Sequence, residues 1–535
     1  MKRGVLFYNG IVEPMRPGRP GRLSANSLAY SDGKISAVGA NLENDPELAR
    51  YQRVNLDGAA VYPGFVDAHT HFCYYALALD QVSLTGVASL SAALKKVKTY
   101  ASRLSRGEWL SGGGLQVELW APANWPTAAQ LDSVTGERPA ALYSHDQHSL
   151  WVNSEALRLA GITRHTPDPP GGRIERNPDG SPTGILRENA AFATTLGLIP
   201  EPSARRKEEL YRRALEIAFS RGVTGIHSFD TGPRLDFLVE LSNAGTLGLR
   251  VNLYINSSDL DRATRVLGSD PFFGYGDDWF RIAGVKFFAD GSLGSKTALL
   301  HQPYLKSRAS YGVPVHSTQD LASLARRARR LGLPCAVHAI GDRAVTNVIT
   351  ALSKVKPPSG SRHRIEHVQM IRRRDIPALR RLGAVASMQP QQLPGDVDQI
   401  NNLWGARARN CYLFKTLDAA GVPLAFGSDV PIEPLNPLAG ISDAVQRRSA
   451  SSRRALNSAE RIGPLVAVSH FTAGPAYAAG EERYSGALVP GYRADLVILE
   501  NDLRKIPPAR LAQTGVVATI LDGECVYSSG ALDLA

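Results

Sequence analysis

Short runs of apolar, β-branched and aromatic residues recur through the middle of the chain, at residues 61–66, 223–229, 249–255, 282–288, 334–340, 364–368, 384–388 and 423–426. Each reads as a strand, and most are separated by stretches with apolar residues at helical spacing, such as 208–220 and 321–331. Strands that alternate with helices in this way predict an α/β fold, a (β/α)8 TIM barrel. The two ends follow another pattern. Leu6-Phe7-Tyr8 runs into Asn9-Gly10, residues 27–30 lead through Ser31-Asp32-Gly33 to 35–38, and Val516–Leu521 leads through Asp522-Gly523 to 525–527. Asn-Gly and Asp-Gly between apolar runs are hairpin signals. Residues 1–60 and 482–535 are therefore expected to build one small β-sandwich domain from both termini, flanking a barrel over 61–481.

The first two apolar runs are about 155 residues apart, far longer than an ordinary βα connection. An insertion after the first barrel strand, over about 73–215, is the expected reason. It carries Pro/Gly-rich linkers such as Thr166-Pro167-Asp168-Pro169-Pro170-Gly171-Gly172. With 535 residues, 43% hydrophobic and 21% charged, the composition excludes a disordered, collagenous or disulfide-stapled chain. No apolar run approaches the ~18–20 residues of a membrane span, and none near the N-terminus reaches the ~7–15 of an export signal. Cys73, Cys335, Cys411 and Cys525 are scattered without CxxC spacing, as expected of reduced, mostly buried thiols in a cytoplasmic protein.

The net charge of +11 comes with Arg-rich stretches at Arg326, Arg327, Arg329 and Arg330, at Arg372, Arg373 and Arg374, at Arg380 and Arg381, and at Arg447, Arg448, Arg453 and Arg454. Most lie in segments of helical spacing, so solvated outer helix faces explain them better than a nucleic-acid groove. No interleaved aromatics accompany them. The charge then means solubility and a mild pull on anions. Ser111-Gly112-Gly113-Gly114 lacks the Gly-x-x-x-x-Gly-Lys-Ser/Thr pattern, which argues against phosphate binding.

Chemistry-bearing side chains fall at the C-terminal ends of the expected strands, the face where TIM barrels react. The first ends Asp67-Ala68-His69-Thr70-His71, and in an extended chain both histidines point to one face. The fourth carries Lys286 and is followed by Asp290-Gly291-Ser292, the fifth ends at His338, the sixth holds Glu366-His367, and the eighth runs into Gly427-Ser428-Asp429. The expected fold thus gathers His69, His71, Lys286, His338, His367 and Asp429. Taken singly, each has a plainer reading: HxH occurs by chance, a lone histidine is a satisfied core residue, and Asp429 caps a helix. Lys286 among Val285, Phe287 and Phe288 must snorkel, pair with a carboxylate or become an anion, because a buried ammonium is costly. The conjunction at corresponding strand ends points to a metal site.

The segments VDAHTH (66–71), VKFFADGSLGSKTA (285–298), VHAIGDRA (337–344), RIEHVQ (364–369) and GSDVPIEPLNP (427–437) resemble the amidohydrolase superfamily. The set is most similar to the YtcJ-like, or amidohydrolase 3, branch that includes N-substituted formamide deformylases. SHDQHSLWVNSEAL (144–157) and RADLVIL (493–499) extend the likeness over nearly the whole chain. The resemblance implies two zinc ions per subunit. His69, His71 and Asp429 would hold one, His338 and His367 the other, and a carbamylated Lys286 would bridge them. Asp429 would serve as the catalytic acid–base. The branch usually has Arg where this chain has Lys296.

The expected activity is zinc-dependent hydrolysis of C–N bonds in small amide-like substrates such as N-substituted formamides. Cyclic amide opening, ester hydrolysis and a non-catalytic metal-bearing binding protein are the alternatives. A small molecule is the expected partner, with no nucleic acid or membrane, in a homodimer. Candidate substrate-binding residues are His145, His148, Asp290, Ser292, Lys296 and Arg343. His145 and His148, with Asp146 and Trp151, suit a lid over the barrel mouth. Asp290 and Asp342 suit turn or cap roles equally well, and His227, at the end of the second strand, faces either the site or the core.

Overall fold

Eight parallel strands pair in chain order: β1 (Phe65–Thr70), β2 (Val223–Ser228), β3 (Arg250–Asn256), β4 (Phe280–Phe288), β5 (Cys335–Ala339), β6 (Arg364–His367), β7 (Val385–Met388) and β8 (Leu424–Phe426). A parallel bridge between Thr70 and Val430 brings the last strand back to the first and closes the barrel. Most positions of these strands are buried, as in parallel sheets covered on both faces, and that is why they read as continuous apolar runs. The computed structural model describes residues 4–15, 25–117, 120–145, 149–169, 172–305, 310–452 and 454–533, with backbone alone at 189–191. Asp146, His148, Pro170, Gly171 and Arg453 lie outside the described residues.

The run 61–66, expected as the first barrel strand, belongs to two strands. Ala60–Pro63 pairs antiparallel with Leu496–Leu499 in another sheet, and β1 begins only at Phe65. Both sheets bury both faces of this segment, so hydrophobicity does not mark the crossing. The junction falls at Gly64, where a Cβ would stand 2.3 Å from Thr224 Oγ1.

Both termini share in a β-sandwich. A four-stranded sheet (Lys34–Gly39, Ser27–Ser31, Val5–Tyr8, Gln52–Asn55) and a five-stranded one (Ile11–Val12, Ala60–Pro63, Leu496–Leu499, Val516–Leu521, Glu524–Ser528) enclose one core. Phe7, Leu28, Val54, Leu496, Ile498 and Ile520 are among its residues. Arg250, at the start of β3, ties it to the barrel through Asp495 (2.7 Å) and Asp522 (3.0 Å).

The chain divides into two compact units, Met1–Tyr74 with Arg213–Ala535, and Tyr75–Arg212. The second is built on a six-stranded mixed sheet, in the order Arg173–Arg176, Pro182–Arg187, Ser149–Val152, Ala140–Ser144, Leu110–Leu115 and Val82–Ser83. Its Ser111-Gly112-Gly113-Gly114 segment is strand, and Gly112 allows the close pairing, since a Cβ there would meet the Val82 carbonyl at 2.2 Å. Trp151, expected in a lid, is instead core. It is fully buried, with Nε1 donating to Thr127 O at 2.9 Å, because its strand lies inside this sheet.

Arg326, Arg327, Arg329 and Arg330 lie on the solvent side of helix Thr318–Arg330, opposite buried Leu321, Ala325 and Ala328. Arg447 departs from the expected exposure. It ends helix Pro437–Gln446 in the left-handed region (φ 54°), fully buried, and donates to the carbonyls of Leu456, Tyr412 and Cys411. The four cysteines are free thiols, and only Cys525 is exposed. No helix among the described residues is long and apolar enough to cross a membrane.

Candidate metal centre

β1 delivers His69 and His71 to the C-terminal mouth of the barrel. Both present Nε2 to the same atom, Asp429 Oδ1, at 3.6 Å. His69 is buried, and its Nδ1 lies 2.8 Å from Glu366 Oε2. A carboxylate accepts, so Nδ1 carries the proton and the Nε2 lone pair is left facing Asp429. The ring stacks on Phe229, with centres 4.0 Å apart.

The end of β8 is fastened to the end of β1. Buried Asp67 accepts from the backbone N–H of His69 and of Ser428, and the Asp429 N–H donates to His69 O at 2.7 Å. Gly427 makes this approach possible, because a Cβ there would meet His69 N at 2.4 Å. Asp429 sits at φ 63°, with Oδ2 accepting from Gln392 Nε2 at 3.0 Å, which leaves Oδ1 toward the two histidines.

His367 follows Glu366 directly, and strict alternation would send the two to opposite faces of β6. The backbone of His367 turns to φ 72° instead, and its ring comes within 5.1 Å of His69 and 4.5 Å of His338. Left-handed backbone at two non-glycine residues of one cluster is strain of the kind that collects at functional sites. Lys286 is buried, its Nζ 4.5 Å from the centre of the Phe229 ring and 5.2 Å from that of Phe288.

Burial, and then the Lys286 charge, keep His69 and His71 far below the ordinary imidazole range. Burial and the neighbouring histidines do the same for His367. All three are neutral lone-pair donors at pH 7. Burial pulls Lys286 down against the attraction of Glu366 and Asp429, and pushes Asp429 up against the attraction of Lys286. Burial also opposes the charge on Glu366, yet Arg364 and Lys286 outweigh it and hold that carboxyl below its usual range.

These residues fit a metal ion. Ligand atoms of His69, His367 and Asp429 lie within 4.8 Å of one another, and His367 Nδ1 is buried without a hydrogen-bond partner. Neutral imidazoles with a carboxylate suit a borderline divalent cation.

Residues 52–527 match the model of the amidohydrolase family. The chain belongs to the amidohydrolase family. The YtcJ protein of Bacillus subtilis is 32% identical over 513 residues, 94% of this chain and 96% of that protein. An N-substituted formamide deformylase of Arthrobacter pascens is 27% identical over 94% of this chain and 95% of its own. Among solved structures, a metal-dependent hydrolase from Pyrococcus furiosus matches with a TM-score of 0.76 at 29% identity, over 94% of this chain and all of that one.

In this amidohydrolase the other expected site residues take varied positions. Asp290, expected at the substrate, commits its carboxylate to the backbone N–H groups of Leu299, Ile340 and Gly341, the turn-organising alternative. Ser292 bonds Ser295 (2.8 Å) within its own loop, and Lys296 and Arg343 are exposed. Asp342 accepts from the His301 N–H. His145 lies in the unit Tyr75–Arg212, its N–H donating to Leu115 O. His227 is buried and accepts from Arg364 Nη1 at 2.6 Å. Arg364 also clasps Glu366 (2.9 and 3.0 Å), so His227 reaches His69 only through the Arg364–Glu366 pair.

Glu366, Arg364, Asp67 and Gln392 were not foreseen. The first two carry a legible signal, an Arg and a Glu two apart on a buried strand, which share its interior face. Gln392 carries none, because its place beside Asp429 depends on how the chain turns after β7.

Proposed function

We propose that the protein is a zinc-dependent amidohydrolase that cleaves the C–N bond of small amide-like substrates, N-substituted formamides among them. The observation that carries this reading is the placement of Asp429. One oxygen faces the Nε2 atoms of both His69 and His71, and the other is held by Gln392. The family, and the similar N-substituted formamide deformylase of Arthrobacter pascens, support the choice of bond.

His69, His71 and Asp429 would hold one ion, and His338 and His367 a second. Lys286, as a carbamate, would supply an anionic ligand to them. Burial makes the neutral Lys286 amine accessible, the form that adds CO2 and releases a proton as the carbamate anion forms. Bound there, the metal supplies Lewis acidity toward a carbonyl oxygen and toward water. Glu366 fixes the tautomer of His69, and Arg364 keeps Glu366 ionised. Asp429 takes the proton of the attacking water and returns it to the leaving amine. Gln392 keeps the carboxylate turned for that exchange.

The test is metal analysis of the purified protein with a panel of N-substituted formamides, acetamides, cyclic amides and esters, read as released amine and acid with zinc supplied. Zinc-dependent release of amine from a linear amide is the expected result. Bound zinc with no turnover of any of them would overturn the reading.

A further inference from the structure

The loop after β2 brings to the barrel mouth a cation, Arg234, that touches no acid among the described residues, although its charge is felt by buried Asp230. Arg234 is the second residue of helix Pro233–Asn243, at the C-terminal end of the barrel where His71 also lies. Its guanidinium carbon is 4.8 Å from the centre of the Tyr74 ring, and Tyr74 stands three residues after His71 in helix Phe72–Ala78. Asp230 clamps the two segments together. Its carboxylate accepts from the N–H of Cys73 (3.0 Å), the N–H of Tyr74 (3.1 Å) and Ser228 Oγ (2.9 Å), so its oxygens are committed. Asp236, on the same helix, is held by Arg262 at 2.6 Å.

Other partly or fully buried arginines of this unit have an acceptor in contact, an acid for Arg250 (Asp495), Arg364 (Glu366) and Arg372 (Asp375), and backbone carbonyls for Arg447 and Arg407. Among the described residues Arg234 has none, and its Nε is buried without an acceptor. A planar fork of five donors matches a carboxylate bidentately, and leaving it unpaired in a half-buried place is costly. The excess of 61 Lys+Arg over 50 Asp+Glu draws anions to the molecule.

We propose that Arg234, resting on Tyr74, is the docking point for a carboxylate of the substrate, so that the amide this enzyme takes carries an anion close to its scissile bond, as N-formyl and other N-acyl amino acids do. This rests on the amide-hydrolase reading and narrows it to a substrate class.

The test compares N-formylglycine with the neutral N-(2-hydroxyethyl)formamide on zinc-loaded wild-type protein and on Arg234→Met and Arg234→Lys. The expected wild-type preference in kcat/KM is about tenfold or more for the anion. It falls by about 10–100-fold in Arg234→Met, mainly through KM, and less in Arg234→Lys, which keeps the charge but loses the fork. Calorimetric titration of N-formylglycine into the same proteins gives a readout independent of turnover, with Kd weakened about tenfold or more in Arg234→Met. Thermal melts exclude a fold defect. Preference for the neutral amide, or a preference and Kd unchanged in Arg234→Met, overturns the proposal while the amide-hydrolase reading stands. If no amide is turned over, that reading fails, and the titration still decides whether Arg234 binds the carboxylate.

Discussion

His69 Nδ1 and Glu366 Oε2 lie 2.8 Å apart in the barrel interior, and neither side chain is more than 1% exposed. The bond turns the His69 ring so that Nε2 faces Asp429. Arg364 in turn holds Glu366 with two hydrogen bonds and donates to Ala68 O and Ser387 Oγ. A ligand is thereby oriented by a carboxylate that is itself oriented, the arrangement that tunes metal-binding histidines.

Glu366→Gln keeps the volume but removes the charge that fixes the His69 tautomer. Zinc affinity is expected to fall about 10–100-fold, read by competition with a chromogenic chelator. Glu366→Ala also leaves Arg364 buried without its acid and is expected to cost about 3–5 kcal/mol of stability. Unaltered zinc affinity in Glu366→Gln would remove Glu366 from the support of the site.

Lys286 has no carboxylate within ion-pair distance among the described residues and lies between two aromatic rings. Lys286→Ala is expected to lose metal and activity together, with partial recovery on adding short carboxylic acids that take the place of the carbamate. Full metal content and full activity in this variant would rule the carbamate out.

Asp429→Asn keeps the shape and one oxygen but cannot exchange a proton at pH 7. The expected outcome is a drop of about 10²–10⁴-fold in kcat with metal content largely retained. Metal analysis beside a turnover assay checks it, and a rate near that of the wild type would contradict the role.

Asp396 accepts the Tyr412 hydroxyl at 2.5 Å, and burial pushes its pKa from 3.8 up to about 7. Between these values the folded chain holds a proton that the unfolded chain has lost. The contribution to stability is therefore complete below about pH 4 and is lost as the pH rises through about 7, on the order of 1–3 kcal/mol. Melting temperatures at pH 5 and pH 8 should drop more in the wild type than in Asp396→Asn. Equal drops in the two proteins would show that Asp396 does not set this dependence.

Much of the architecture was legible because parallel strands buried on both faces must be apolar along their length, so residues 334–340 or 384–388 announce themselves. The same property hid the boundary at Gly64, where one apolar run serves the sandwich and then the barrel. Trp151 suited a lid by its type and by the histidines near it, and only the pairing of its strand inside a sheet showed it to be core.

The sequence by itself determined the barrel and the sandwich built from both ends, and it placed His69, His71, Lys286, His338, His367 and Asp429 within or beside barrel strands, since alternating strand and helix patterns imply a parallel barrel whose strands all end on one face. Only the tertiary structure decided how these side chains face one another. His367 reaches the cluster because its backbone leaves the strand's alternation at φ 72°, Asp429 is aimed by Gln392, and among the described residues Arg234 keeps a buried Nε without an acceptor. Such facts depend on contacts between residues far apart in the chain, which local periodicity does not encode.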